Sequence, residues 1–177
     1  MAKAVLISIR PKWCGKIISG EKTIEVRKNR PKLETPFKCY IYETQGWVEK
    51  DGIMAFRLGG RVIGEFTCDR IYELETRSPG GSYYVKGEGQ PTTNDVARQS
   101  CLSLRDMHEY LQAKVGYGWH ISDLKIYDTP RKLSEFKGLC KVESDCCACP
   151  HYNYSKMDCD GRTINRPPQS WCYVEVL

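Results

Sequence analysis

Residues 4–9 (AVLISI) form a short apolar run with β-branched members, which predicts a strand. Arg10-Pro11 ends it, and proline suits the first turn of a helix. Within residues 11–19 (PKWCGKIIS), Trp13, Ile17 and Ile18 recur at offsets of four and five, as on one face of a helix, and Gly20 is a natural stop. Residues 23–28 (TIEVRK) alternate, with Ile24 and Val26 on one face of a strand and Thr23, Glu25 and Arg27 on the other. Residues 29–37 carry Pro31 and Pro36 and read as a loop. Strands are predicted at 38–43 (KCYIYE), at 61–72 (RVIGEFTCDRIY, bulged at Gly64), at 119–127 (WHISDLKIY) and at 170–177 (SWCYVEVL). Leu104, Met107, His108 and Leu111 have helical spacing, with Ser103 placed to cap. Residues 45–61 show no clear period, and 87–100 read as a polar loop leading to that helix. Few helices and five or six unevenly spaced strands predict an α+β fold around a mostly antiparallel, partly closed sheet with a few flanking helices.

The length, 177 residues, suits a single domain over 1–177. With 41% hydrophobic and 28% charged residues, wholesale disorder is excluded. No stretch approaches the roughly 18 apolar residues of a membrane span, and the first apolar run is too short for a secretory signal. The expectation is a soluble, cytoplasmic protein with no membrane partner. The net charge of +5 is unevenly spread: residues 1–40 hold ten Lys/Arg and three Glu, a net of +7, so the remainder nets −2. A basic N-terminal quarter favours an anionic partner, with nucleic acid first among candidates. A solvated lysine-rich surface would look the same by charge alone.

The segment Gly20-Glu21-Lys22-Thr23-Ile24-Glu25-Val26-Arg27 is the most informative. Gly20, Lys22, Glu25 and Arg27 fit the pattern G-x-K-x-x-E-x-R and follow Ser8-Ile9-Arg10-Pro11. In these residues, and in the order strand, helix, strand, the chain resembles the ASCH domain of the PUA-like superfamily over roughly 4–128 and 167–177. With GWHISDLKIYD and RPPQSWCYVE it also looks like small phage and prophage proteins. The resemblance implies a PUA-like β-barrel with a cleft beside the motif and a role in binding RNA or other nucleic acid. Some members of the family are hydrolases. One branch removes the acyl group from N4-acetylcytidine, and another is described as cleaving single-stranded RNA. The first branch has a threonine nucleophile where Glu25 stands here, and Thr23 lies in a different register.

Read from the residues themselves, Glu25 and Arg27 share a strand face with Cα atoms roughly 6.5–7 Å apart, close enough to pair. Lys22, leaving the turn after Gly20, can swing towards them. Three such groups in a concavity suit a phosphate or the polar edge of a base; on an exposed strand they would be a salt bridge worth about 0–1 kcal/mol. The candidate ligand-binding set is Ser8, Lys22, Glu25, Arg27, Glu65 and His120, with Lys22 as base or electrostatic stabiliser if the chain is a hydrolase. Glu65, between apolar neighbours, would need a partner such as Arg27 or Lys22. His120 more often serves structure than catalysis. Trp13 suits the core better than base stacking.

Ten cysteines without an export signal point away from a disulfide scaffold. Cys140, Cys146, Cys147, Cys149 and Cys159 fall within twenty residues, and Cys146 to Cys149 is C-x-x-C, the spacing of two thiolates on one ion. Cys140, Cys146, Cys149 and Cys159 are therefore candidate ligands of one structural Zn, with Cys147 and His151 as alternatives, in a zinc-knuckle insertion at 139–165 before the closing strand. Three functions are carried forward: an RNA- or nucleic-acid-binding module, a hydrolase of RNA or a modified nucleoside in the same cleft, and a phage-encoded protein-interaction module.

Overall fold

The computed structural model describes every residue except 1, 51, 58, 77, 79, 80, 140–151, 154, 156, 157, 160 and 161; for 49, 50, 57, 152, 153, 158 and 159 it describes the backbone alone. The chain begins with β1 (Lys3–Ile9), α1 (Pro11–Ile18), β2 (Ile24–Arg27) and β3 (Phe37–Glu43), as the apolar pattern predicts. The stretch without clear period is a hairpin, β4 (Gly46–Lys50) and β5 (Ile53–Arg57). The long strand expected at 61–72 is two, β6 (Arg61–Cys68) and β7 (Ile71–Thr76), divided at Asp69-Arg70. After β8 (Tyr83–Val85) come α2 (Thr93–Ser100) and α3 (Leu104–Leu111).

The helix α2 replaces the second half of the expected loop. Only Val96 and Ala97 give it apolar burial, too little for a visible period, but Thr92 and Asp95 form a reciprocal capping box that starts it. Ser103 and Asp106 do the same for α3. The strand expected at 119–127 breaks at Ile121 into β9 (Gly116–His120) and β10 (Ser122–Arg131), with Asp123 at φ 47° just beyond the break. Two short strands, β11 (Tyr152–Asn153) and β12 (Asp158–Cys159), form a ribbon, and β13 (Trp171–Glu175) closes the chain.

The strands lie in a five-stranded sheet, β10-β6-β3-β1-β13, and a four-stranded sheet, β2-β9-β7-β8, beside the β4–β5 and β11–β12 ribbons. The α+β class stands; among the described residues, the pairings give separate sheets rather than one partly closed sheet. The four-stranded sheet is antiparallel throughout, whereas β1 pairs parallel with β3, from Val5 opposite Cys39 to Ile9 opposite Glu43. A parallel pair needs a long crossover, and α1 and β2 lie within it.

The chain divides into two compact units: Met1–Pro11, Lys38–Glu65 and Ile126–Leu177 in one, Lys12–Phe37 and Phe66–Lys125 in the other. The first is built on Ala4, Leu6, Tyr40, Tyr42, Val62, Phe136 and Val174. The core of the second gathers Ile24 and Val26 of β2 with Tyr72 and Leu74 of β7, Val96 of α2, and Met107 and Leu111 of α3. Each fully buried Leu, Ile or Met contributes about 1.5–3 kcal/mol, so this core anchors β2, and with it the motif. No helix among the described residues is long and apolar enough to cross a membrane.

Candidate nucleic-acid interface

The motif is built by a helix end and a strand start. Gly20 ends α1 at φ 77°, where a side chain would be strained. The reversal lets the Lys22 backbone N–H donate to the Lys16 carbonyl at 2.9 Å. The Lys22 side chain then runs inward. Its Nζ donates to the Ile24 carbonyl (2.9 Å) and the Ser100 carbonyl (2.8 Å), and pairs with Glu25 Oε2 at 3.1 Å. Those partners occupy all three ammonium N–H bonds. Ser100 is the last residue of α2, so Lys22 neutralises a helix C-terminus as well as a carboxylate.

Glu25 Oε1 accepts from Arg27 Nη2 at 3.0 Å. The strand register sets Glu25 opposite Trp119 and Arg27 opposite Tyr117, so both side chains share one face of the four-stranded sheet. Lys22, Glu25 and Arg27 are 3%, 6% and 8% exposed. Burial pushes the Glu25 carboxyl up, but the Lys22 ammonium and Arg27 guanidinium outweigh it and hold the group below its ordinary value. The cluster is thus a charge-satisfied interior assembly.

Around it stand the solvent-facing groups. The Lys12 and Lys22 ammoniums lie 4.9 and 5.1 Å from the centroid of the half-buried Trp13 ring. Lys28, just past β2, lies 5.2 Å from the Tyr110 ring, which is exposed on α3. Lys12, Lys28 and Arg30 are exposed, and none has an ion-pair partner among the described residues.

The other sequence candidates have partners of their own. Ser8 belongs to the first unit, where its Oγ donates to the Pro168 carbonyl at 2.6 Å and its N–H to the Ser170 carbonyl, tying the closing segment to β1. Glu65, also in the first unit, pairs with Lys38 (3.1 Å) and accepts from the Tyr127 hydroxyl (2.6 Å). His120 stands opposite Ile24, on the sheet face away from Glu25, and its Nδ1 is 2.6 Å from Asp69 Oδ1. Burial raises the Asp69 carboxyl, yet the hydrogen bond and charge of His120 hold it below its ordinary value. A cavity of about 510 Å³ in the second unit is lined by Tyr83, Thr93, Asn94, Arg105 and His108, none of them from the motif. Of the zinc ligands, Cys140, Cys146 and Cys149 lie outside the described residues, and Cys159 is described by its backbone, opposite Tyr152. Among the described residues no group of three or more His, Cys, Asp or Glu is placed to hold a metal.

Sequence reasoning missed the partners that define these groups: Ser100, because α2 was not foreseen, and Asp69, because β6 and β7 were read as one strand. It also passed over the hairpin aromatics Trp47 and Phe56. Asp51-Gly52, a dipeptide that favours a two-residue hairpin turn, between Trp47-Val48 and the apolar run 53–56 was the available signal.

Fold and motif together define a small α+β protein with a buried Lys–Glu–Arg cluster at a helix–strand junction. Solved structures narrow the class. ASCH from Zymomonas mobilis is similar at a TM-score of 0.57 and 18% identity, over 97% of this chain and 87% of that one. A Ser-to-Ala variant of that protein gives 0.56 at 19% identity, over 97% and 88%, and a Tyr-to-Phe variant 0.50 at 20%, over 73% and 76%. The chain has the ASCH fold. No family model matches it, and no curated protein does.

Proposed function

We propose that this chain binds RNA or another nucleic acid beside its G-x-K-x-x-E-x-R segment. The observation that carries the reading is the set of exposed cations Lys12, Lys28 and Arg30, none of them ion-paired among the described residues and two of them beside the Trp13 and Tyr110 rings. Unneutralised cations attract phosphates, and aromatic faces accept bases. The buried Lys22–Glu25–Arg27 cluster acts in this reading as the foundation that holds Trp13 and β2 in place. Hydrolysis is the less favoured alternative, because Lys22 would have to give up a hydrogen bond to act on a substrate.

The test uses an end-labelled single-stranded RNA with wild type and with Lys28→Ala/Arg30→Ala, followed by anisotropy across a salt series and then run on a denaturing gel. Log affinity should fall linearly with log salt, and the double variant should flatten the slope by about 0.7 for each phosphate that the protein no longer neutralises. Absent or salt-independent binding counts against the reading, and shortened RNA would make the chain an enzyme. We further propose one structural zinc bound by Cys140, Cys146, Cys149 and Cys159, with the C-x-x-C spacing as its support. Metal analysis should return about one Zn per chain; a folded, metal-free protein with these thiols free sinks it.

A further inference from the structure

The β4–β5 hairpin carries a pair of rings that packing does not account for. Trp47 is 63% exposed and Phe56 48%, yet they face each other across the ribbon in register, with centroids 5.4 Å apart and planes at 70°. Met54, two residues before Phe56 and on the same face, is also exposed. Among the described residues β4 and β5 pair only with each other, and Trp47, Met54 and Phe56 on this face stay exposed. Two rings and a thioether side by side in water leave apolar area that a ligand of ring size can cover.

Size and charge choose the occupant. A five-residue, two-stranded ribbon is about 17 Å long and about 10 Å wide, a face of roughly 170 Å², whereas a stable protein interface takes about 800 Å² from each partner. The face suits flat groups of ring size. Over residues 46–61 the sequence places Lys50, Arg57 and Arg61 against Glu49 and Asp51, a net positive setting for an anionic chain. A duplex hides the faces of its bases, and a single strand offers them. We propose that the Trp47–Phe56 face is a base-stacking platform for single-stranded nucleic acid. This inference rests on the nucleic-acid reading above and narrows it to unpaired strands.

The experiment compares wild type, Trp47→Ala, Phe56→Ala and Trp47→Phe for anisotropy against a labelled single-stranded RNA and against the same RNA annealed to its complement. Circular dichroism first checks that each variant is folded. Both side chains are exposed, and Phe56→Ala serves if Trp47→Ala does not fold. Each alanine variant should bind the single strand about tenfold more weakly, a loss of about 1.4 kcal/mol per stacked base, with the salt slope unchanged. Trp47→Phe should keep most of the affinity, and duplex binding should not move. Undiminished single-strand binding by both alanine variants overturns the platform and leaves the nucleic-acid reading standing, as does an equal loss for strand and duplex. Conversion of a dimer to a monomer by Trp47→Ala assigns the face to self-association and also overturns it. Wild-type protein that binds neither RNA overturns the platform and the reading together.

Discussion

Two lysine–glutamate pairs in this molecule have the same length and different physical meaning. Lys22–Glu25 and Lys38–Glu65 are both 3.1 Å apart. The first pair's side chains are 2% and 8% exposed, the second's 36% and 21%. Each glutamate has a third partner, the Arg27 guanidinium for Glu25 and the Tyr127 phenol for Glu65. Taking a carboxylate out of water costs several kcal/mol, repaid only when every lone pair and proton finds a partner. The inner pair meets that demand with two cations and two backbone carbonyls; the outer pair stays in contact with solvent. Their difference shows that a charged motif read in sequence can belong to the frame of a site rather than to its contact surface, and that burial decides which.

The largest expected effect breaks the inner pair. Lys22→Met removes three hydrogen bonds and leaves Glu25 with Arg27 alone, so unfolding stability should fall by about 3–5 kcal/mol. Lys22→Met with Glu25→Leu should recover part of the loss, because the uncompensated carboxylate goes with it; denaturant titration of both variants measures the coupling. Acid supplies the second readout. The folded Glu25 carboxyl sits below its ordinary value of 4.5. Its contribution is therefore complete above that value, where the unfolded group is also ionised, and is lost as pH falls through the lower, folded value. Wild type should lose stability below about pH 4.5, and the double variant should lose less over the same range. A cost under about 1 kcal/mol for Lys22→Met would mean that the cluster is solvated, as surface pairs are, and would make its three side chains direct ligand contacts again.

Much of this arrangement was legible in the chain. Alternation at 23–28 placed Glu25 and Arg27 on one face, and they pair there. The apolar run at 4–9 and the helical spacing around Met107 and Leu111 became β1 and α3, because periodicity records burial directly. The burial of the motif was not legible, since it depends on Ser100 of α2, seventy-eight residues from Lys22. With two apolar residues to bury, α2 has almost no period, and its capping box alone announced it. Glu65 shows the complementary failure. Its need for a partner followed from its apolar neighbours, but Lys38 and Tyr127 come to it through strand order, β10-β6-β3, which no local pattern encodes.

The smallest expected effect sharpens the comparison from the other side. Lys38→Met removes one half-exposed cation from Glu65, and exposed pairs are worth about 0–1 kcal/mol and weaken with salt. The variant should lose no more than about 1 kcal/mol at low salt, and less at high salt, by the same denaturant titration. Tyr127→Phe should cost slightly more, about 1–2 kcal/mol, because its hydroxyl donates to a charged acceptor at 2.6 Å in a partly buried setting. Burial, with the hydrogen bond and charge of Glu65, pushes the Tyr127 phenol up, so it stays a donor across the range in which proteins are handled and its contribution should not change between pH 6 and 9. Equal losses for Lys38→Met and Lys22→Met would mean that pair length, which the two share, sets their worth. A loss several times larger for the inner pair would assign that worth to desolvation, and would place the motif lysine in the framework of the fold.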